Sequence, residues 1–293
     1  MMITIDELDN LVPNYVEFKY TWSNNNEEIL VISICMEDVY SDIVSNIKNN
    51  NLCNFKFKYI DENEDIRGDI DKIIGNAVLV ILLFNIENYI SKYQLIQIVK
   101  YIQGKDILSV CTTELKNFHD NTNFKFLHVL QKYVDTITII PRRQIYQIKN
   151  NNDIFYKNNV SYLFLSVIRL FYNLTFSDGF VGVDFVDIRD ELKNFRISLI
   201  GVGIDLEKAV KDAVSCFSIS KSEFIKVKIA FYSIEYSHDI EFYESPMIFR
   251  YIYDRIMEED AVILFQISER KNMKNEIRVI FLAGGYDIDN FKK

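Results

Sequence analysis

Glycine and proline are scarce in this chain: nine glycines and three prolines in 293 residues, with no glycine before Gly68 and none between Gly75 and Gly104. Backbone that approaches a phosphate closely needs residues without a Cβ, often at positive φ, so neither stretch offers a glycine-rich phosphate turn. Cysteine is also sparse. Cys35, Cys53, Cys111 and Cys216 lie far apart with no CxxC pair, which excludes a zinc or dithiol motif and reads as free thiols in a reducing compartment. The longest strongly apolar run, Ala77 to Phe84, suits a buried strand. It falls far short of the roughly 20 residues a membrane helix needs. A net charge of −9 with no basic stripe excludes a nucleic-acid-binding domain. The acidic start "MMITIDELDNLVPNY" lacks a basic, then apolar, leader pattern, so a cytoplasmic protein is expected. His119, His128 and His238 show no metal or triad spacing.

What is present is a sizeable apolar fraction, 49%, enough for one large or two fused domains. From Glu28 strands and helices alternate, the mark of a layered α/β domain with parallel strands. "ILVISIC" (Ile29 to Cys35), "FKFKYI", "AVLVILLF", "ILSVC" and "TITIIP" read as strands, the last stopped by Pro141. Between them lie a helix with Val39, Ile43, Val44 and Ile47 on one face, a helix "YQLIQIVKYIQGK" closed by Gly104, and "NFKFLHVLQKYV". "NNVSYLFLSVIRLFYNL" is apolar on nearly all sides and is expected to lie buried between two bodies. A second α/β unit follows, with strands "RISLIGVG", "VKIAFYS", "AVILFQI" and "EIRVIFLA" and helices opened by Asp205 and by Ser245-Pro246. The expected division is an extension at 1–28, an N-terminal domain at 29–157, a central helix at 158–176 and a smaller domain at 177–293. Asp61 to Asp71 reads as one of the least structured stretches.

"GVDFVDIRDEL", Gly182 to Leu192, sets Asp184 and Asp187 three residues apart before a charged helical segment. Aspartate is a favoured helix N-cap and suits the positive end of the helix dipole, so capping alone is one reading of the pair. The run "VDFVDIRDELKNFRISLIGVG", directly after the central helix, resembles FtsZ, the bacterial tubulin homologue. That family carries an Asn-Leu-Asp-Phe-Ala-Asp-Val-type synergy loop here, then a strand into Met-Gly-Xaa-Gly. In this chain Gly182 replaces the leading Asn and both carboxylates remain. "LQKYVDTITIIPRRQIYQI" and "DAVILFQISERKNMKNEIRVIFLAGG" are similar to two further stretches of the family, in the same order. The resemblance implies a tubulin/FtsZ-like α/β fold with a Rossmann-like parallel sheet domain, a central buried helix and a smaller C-terminal α/β domain.

The same resemblance locates a GTP pocket whose residues depart from the family. Where the family has a glycine-rich turn after the first strand, this chain has Cys35-Met36-Glu37-Asp38. Where it has its Gly-Gly-Gly-Thr-Gly-Thr-Gly signature, the chain has "FNIENYISK" with Glu87, and carboxylates there repel a triphosphate. Arg142 replaces the family's Asn, and the base-contacting Asp of the central helix falls near Ser161. Met36, Glu37, Asp38, Glu87, Arg142 and Ser161 are thus degenerate pocket positions, and no cofactor is expected. In FtsZ-like filaments the synergy loop of one subunit completes the nucleotide site of the next. Asp184 and Asp187 are therefore expected to act on a partner's GTP, in longitudinal contact with a copy of the chain or another tubulin-like protein. Two alternatives stay open: an active divergent GTPase using GTP and Mg²⁺, and a nucleotide-free structural polymer. The family's C-terminal linker and tether-binding peptide do not follow Lys293, so no direct membrane anchor is expected.

Overall fold

The computed structural model describes residues 28–49, 55–115, 121–141, 159–176, 183–203, 227–237, 257–270 and 277–286. In the N-terminal half, continuous apolar runs make strands buried on both faces and amphipathic runs make the helices that cover them. The elements are β1 (Glu28–Ile34), α1 (Glu37–Asn49), β2 (Phe55–Ile60), α2 (Ile70–Ile74), β3 (Ala77–Phe84), α3 (Tyr89–Ile102), β4 (Leu108–Leu115), α4 (Asn121–Leu130) and β5 (Thr136–Pro141). After the helix α5 (Asn159–Phe176) come α6 (Phe185–Phe195), β6 (Arg196–Gly203), β7 (Val227–Ser237), β8 (Met257–Arg270) and β9 (Ile277–Tyr286).

The strands form one sheet in the order β2-β1-β3-β4-β5-β6-β9-β7-β8. All neighbours pair in parallel except those of β9, which runs antiparallel to β6 and β7. The C-terminal group of strands is joined edge to edge to the N-terminal group by the β5–β6 pair, Thr136 beside Arg196 through Ile139 beside Leu199.

Alternation along each strand sends side chains to two cores. On one face Ile32, Ile34, Leu82 and Phe84 pack with Leu95, Ile98 and Val99 of α3 and Phe124 and Leu127 of α4. On the other, Val31, Leu79, Ile81 and Leu83 pack with Ile43 and Ile47 of α1, Leu163 to Leu174 of α5, and Ile188, Leu192 and Phe195 of α6. Helix α5 is buried without a break from Tyr162 to Phe171, as its all-round apolar surface requires. No helix among the described residues is long and apolar enough to cross a membrane.

Three expectations change. The stretch from Asp61 to Asp71 is ordered: Asp65 caps a 3-10 turn at Ile66–Gly68 by accepting from the Arg67 N–H, and Ile66 and Ile70 are buried. Helix α3 begins at Tyr89 rather than Tyr93, because the Asn88 side chain accepts from the Ser91 N–H and starts it earlier. Helix α4 stops at Leu130, where Tyr133 turns back to bond the Leu130 carbonyl. Gly104 follows the end of α3 at φ 82°, the left-handed conformation a helix stop favours. The helices expected at Asp205 and Ser245, the 1–28 extension apart from Glu28, Arg142, Gly182, His119, His238, Cys53 and Cys216 lie outside the described residues.

Candidate functional site

In an open α/β sheet the binding crevice lies at the carboxyl ends of the strands where the strand order reverses. Here the reversal falls between β1 and β3, so the residues just beyond Ile34 and Phe84 define the site. Cys35, the first residue after β1, has φ 55°. This is a backbone conformation that favours glycine, and a side chain occupies it. Its Sγ donates to Gln94 Oε1 at 3.2 Å, and its N–H donates to the Ile60 carbonyl at 2.9 Å.

Gln94 is 3% exposed and spans the crevice. Its Nε2 donates to the carbonyls of Asp61 at 2.7 Å and Glu64 at 3.2 Å. Ser91 Oγ, fully buried, donates to the Ile34 carbonyl at 3.1 Å and accepts from the Asn85 N–H at 3.2 Å. Asn85 Oδ1 in turn accepts from the Glu87 N–H, and Asn88 Nδ2 donates to Glu62 Oε1, both at 2.9 Å. The N–H groups of Cys35, Asn85, Glu87 and Ser91 therefore have partners within the chain. An anion at a helix N-terminus depends on such donors being free.

The rim of the crevice is acidic. Glu37 and Asp38 are exposed in the first turn of α1, Met36 is half-buried behind them, and Glu87 is exposed before α3. Burial first, then the nearby carboxylates of Glu62 and Asp61, push the Cys35 thiol up to about 11. Burial also raises the Tyr59 phenol, with Asp61, Glu37 and Glu62 adding to it. These perturbations place Glu37, Asp61 and Glu62 in one negative field at the top of β1 and β2. Cys35 is held as a neutral thiol, which is a poor nucleophile and a poor metal ligand.

The second candidate site lies elsewhere. Asp184 is the N-cap of α6, its Oδ1 accepting from the Val186 N–H at 3.0 Å, and Asp187 is exposed in the first turn. Helix α6 is anchored by Arg189, which donates to both carboxylate oxygens of Asp106 at 3.2 and 3.0 Å. Its last residue, Phe195, packs on Phe231 with ring centroids 4.4 Å apart and lies directly against Gly284. Asp106 stands just before the amino end of β4, whereas the crevice lies beyond the carboxyl ends of β1 and β3. The two candidate sites are therefore separated by about the length of a strand, roughly 25 Å at ~3.3 Å per residue. They do not meet within one chain.

Two further features bear on the predicted positions. Ser161, at the head of α5, donates to Asp42 Oδ2 of α1 at 2.8 Å, so a carboxylate on the neighbouring helix engages that position. Lower on the same helix, Arg169 lies 3.9 Å from Glu235, a buried carboxylate that also accepts from Arg270 Nε at 2.9 Å and Arg278 Nη1 at 2.8 Å. Arg270 donates to Asn173 Oδ1 as well, which ties α5 to β7, β8 and β9. Burial would push the Glu235 carboxyl up; the charges of Arg169, Arg278 and Arg270, with the Arg278 hydrogen bond, hold it instead at about 2. Sequence reasoning missed this cluster and also Gln94 and Ser91. The available signals were an arginine inside an apolar helix, a carboxylate inside an apolar strand, and polar residues on the buried face of α3.

No protein-family model matches the chain. Among curated proteins it is 25% identical over 166 residues to cell division protein FtsZ 1 of Methanocaldococcus jannaschii, covering 54% of this chain and 45% of that protein. To cell division protein FtsZ of Rickettsia typhi it is 27% identical over 177 residues, covering 58% and 39%. The matches thus span less than half the length of these relatives. Among solved structures, an empty FtsZ dimer from M. jannaschii superposes with a TM-score of 0.72 at 15% identity, over 97% of this chain and 93% of that one. A tryptophan-to-tyrosine FtsZ mutant from the same organism gives 0.71 at 15% identity, over 89% and 91%. The fold is that of FtsZ, and the sequence matches, low in identity and covering little more than half of the chain, lie with the same proteins: the chain is similar to FtsZ in fold and over part of its sequence.

Proposed function

We propose that this protein is an FtsZ-like pseudo-GTPase that associates longitudinally with tubulin-like subunits and caps, seeds or regulates their filaments in a cell-division system. The observation that carries the reading is the state of the crevice. Cys35, Gln94 and Ser91 bridge it through side-chain bonds, and the N–H groups of Cys35, Asn85, Glu87 and Ser91 are bonded within the chain, beneath a rim of Glu37, Asp38, Glu62 and Glu87. A triphosphate would have to displace these bonds and enter a negative field.

The opposite end of the sheet favours action on a partner. Asp187 is exposed beside the capping Asp184, on a helix held by the Arg189–Asp106 pair at its middle and by Phe195 at its end, which supports a role for its carboxylate toward a neighbouring subunit's nucleotide. Its role there is to position water or a cation for hydrolysis of that partner's GTP. The relatives named as cell division proteins, and the neighbour described as a dimer, support association of this kind.

The test is cosedimentation with an FtsZ that polymerises on GTP, with filament length and phosphate release followed as this protein is added. Co-pelleting and altered turnover at stoichiometric protein are expected, with Asp187→Ala losing the effect on turnover. Filaments unchanged in length and turnover would sink the proposal.

A further inference from the structure

The upper face carries more than the acidic rim. Around the start of α3, Tyr89 is 81% exposed, Tyr93 50% and Ile90 38%, an apolar group of a kind that folding ordinarily buries. Tyr89 and Tyr93 are one helical turn apart and lie on one side of α3.

This aromatic group is continuous with the rim. Asn88, next to Tyr89, is bonded to Glu62; Gln94, next to Tyr93, is bonded to the backbone of Asp61 and Glu64. Arg67 lies near Tyr93, but that arginine is already held by Asp65 at 2.8 and 2.6 Å. Lys58 is likewise held by Glu64 at 2.6 Å. The face therefore offers exposed tyrosines and an isoleucine beside exposed Glu37, Asp38, Asp61, Glu62 and Glu87, and among the described residues Arg67 and Lys58 there are already paired.

We infer that this face docks a protein partner whose contact surface carries lysine or arginine around an apolar centre. The aromatic rings supply the buried anchor and the acidic rim supplies attraction and orientation. Tyrosine faces are also good acceptors for a guanidinium or ammonium. A second copy of this chain does not present such a surface at the first turns of α6, which carry Asp184, Asp187 and Asp190. A second copy docking by that helix would meet the acidic rim with like charge, so the occupant inferred is a different, basic protein, and the inference rests on the proposed reading of the crevice as free of nucleotide.

The experiment uses the full chain and a labelled amphipathic peptide with leucine on one face and lysine and arginine on the other, followed by fluorescence anisotropy. Saturable binding is expected. It should weaken about tenfold or more in the Tyr89→Ser/Tyr93→Ser double variant and in Glu37→Lys/Asp38→Lys, and fall as salt is raised. Far-UV circular dichroism checks that both variants, altered only at exposed positions, remain folded. Absence of binding would overturn the inference, as would equal binding of polylysine or equal binding by the tyrosine variant. Self-association of the chain that the tyrosine variant abolishes would also overturn it, by assigning the face to a second copy. GTP added to the same samples separates the two readings. GTP that binds and displaces the peptide would sink the nucleotide-free reading, whereas a peptide that fails to bind sinks only this inference.

Discussion

Replacing Glu235 by glutamine keeps the shape of a buried side chain and removes a negative charge that Arg169, Arg270 and Arg278 share. Arg169 is itself buried, and burial works against its charge, with Arg278 and Arg270 adding to that and Glu235 opposing it. Breaking a buried pair by removing one partner leaves the other charge uncompensated, at a cost of about 3 to 5 kcal/mol. The acidity of the carboxyl gives an independent figure. Between the ordinary value of 4.5 and the folded value of about 2, at about 1.4 kcal/mol per pH unit, ionisation of Glu235 contributes about 3 kcal/mol near neutral pH. The folded carboxyl is the stronger acid, so this contribution is complete above the unfolded value and is lost as pH falls through 4.5 towards 2. Urea unfolding of both proteins, followed by circular dichroism, reads the difference directly. Comparing wild type with Glu235→Gln cancels the other carboxylates. A gap of about 3 kcal/mol near neutrality, shrinking to about 1 kcal/mol near pH ~3, is expected. A gap below about 1 kcal/mol at neutral pH, or one that does not change on acidification, would refute the reasoning.

Gln94→Ala removes the side chain that ties β1 to the Asp61–Glu64 turn and should cost about 2 to 3 kcal/mol, read by the same unfolding assay. It should also speed modification of the Cys35 thiol, which burial and the nearby carboxylates keep unreactive in the wild type. Asp184→Ala loses a helix cap and should destabilise by about 1 kcal/mol, whereas Asp187→Ala, at an exposed first-turn position, should leave stability within about 0.5 kcal/mol. Equal thermal shifts for the two would contradict the assignment of the cap to Asp184. Gly284→Ala would drive a methyl into the Phe195 ring, which Phe231 prevents from retreating, and should cost about 1 to 3 kcal/mol or more. An unchanged unfolding midpoint for that variant would mean that α6 is not fixed by this contact.

Local signals made much of the fold legible. The continuous run of β3, the alternation of β2 and the all-round apolar surface of α5 each state their burial in sequence, because periodicity follows from geometry. Asp184 was legible as a cap for the same reason, since a cap is a contact two residues long. What the periodicity did not carry were pairings across long separations. Arg169 and Glu235 each announce that a buried charge needs a partner, yet nothing in spacing names the partner. Gln94 looks like an ordinary helix residue until the turn after β2 folds over it. The start of α3 was misplaced because Asn88 acts through its side chain, ahead of the first periodic apolar position. Cys35 is the most instructive case. The departure from glycine was visible in sequence, but only the structure has it at φ 55° with its thiol bonded across the crevice.

The most direct test of the central claim is a titration of the purified chain with fluorescent GTP, with and without Mg²⁺, with phosphate release followed in the same samples. The bridged, acidic crevice predicts no saturable binding up to millimolar nucleotide and no release of phosphate. Micromolar binding with turnover would contradict it and would mean that the Cys35–Gln94 bridge opens to admit a triphosphate.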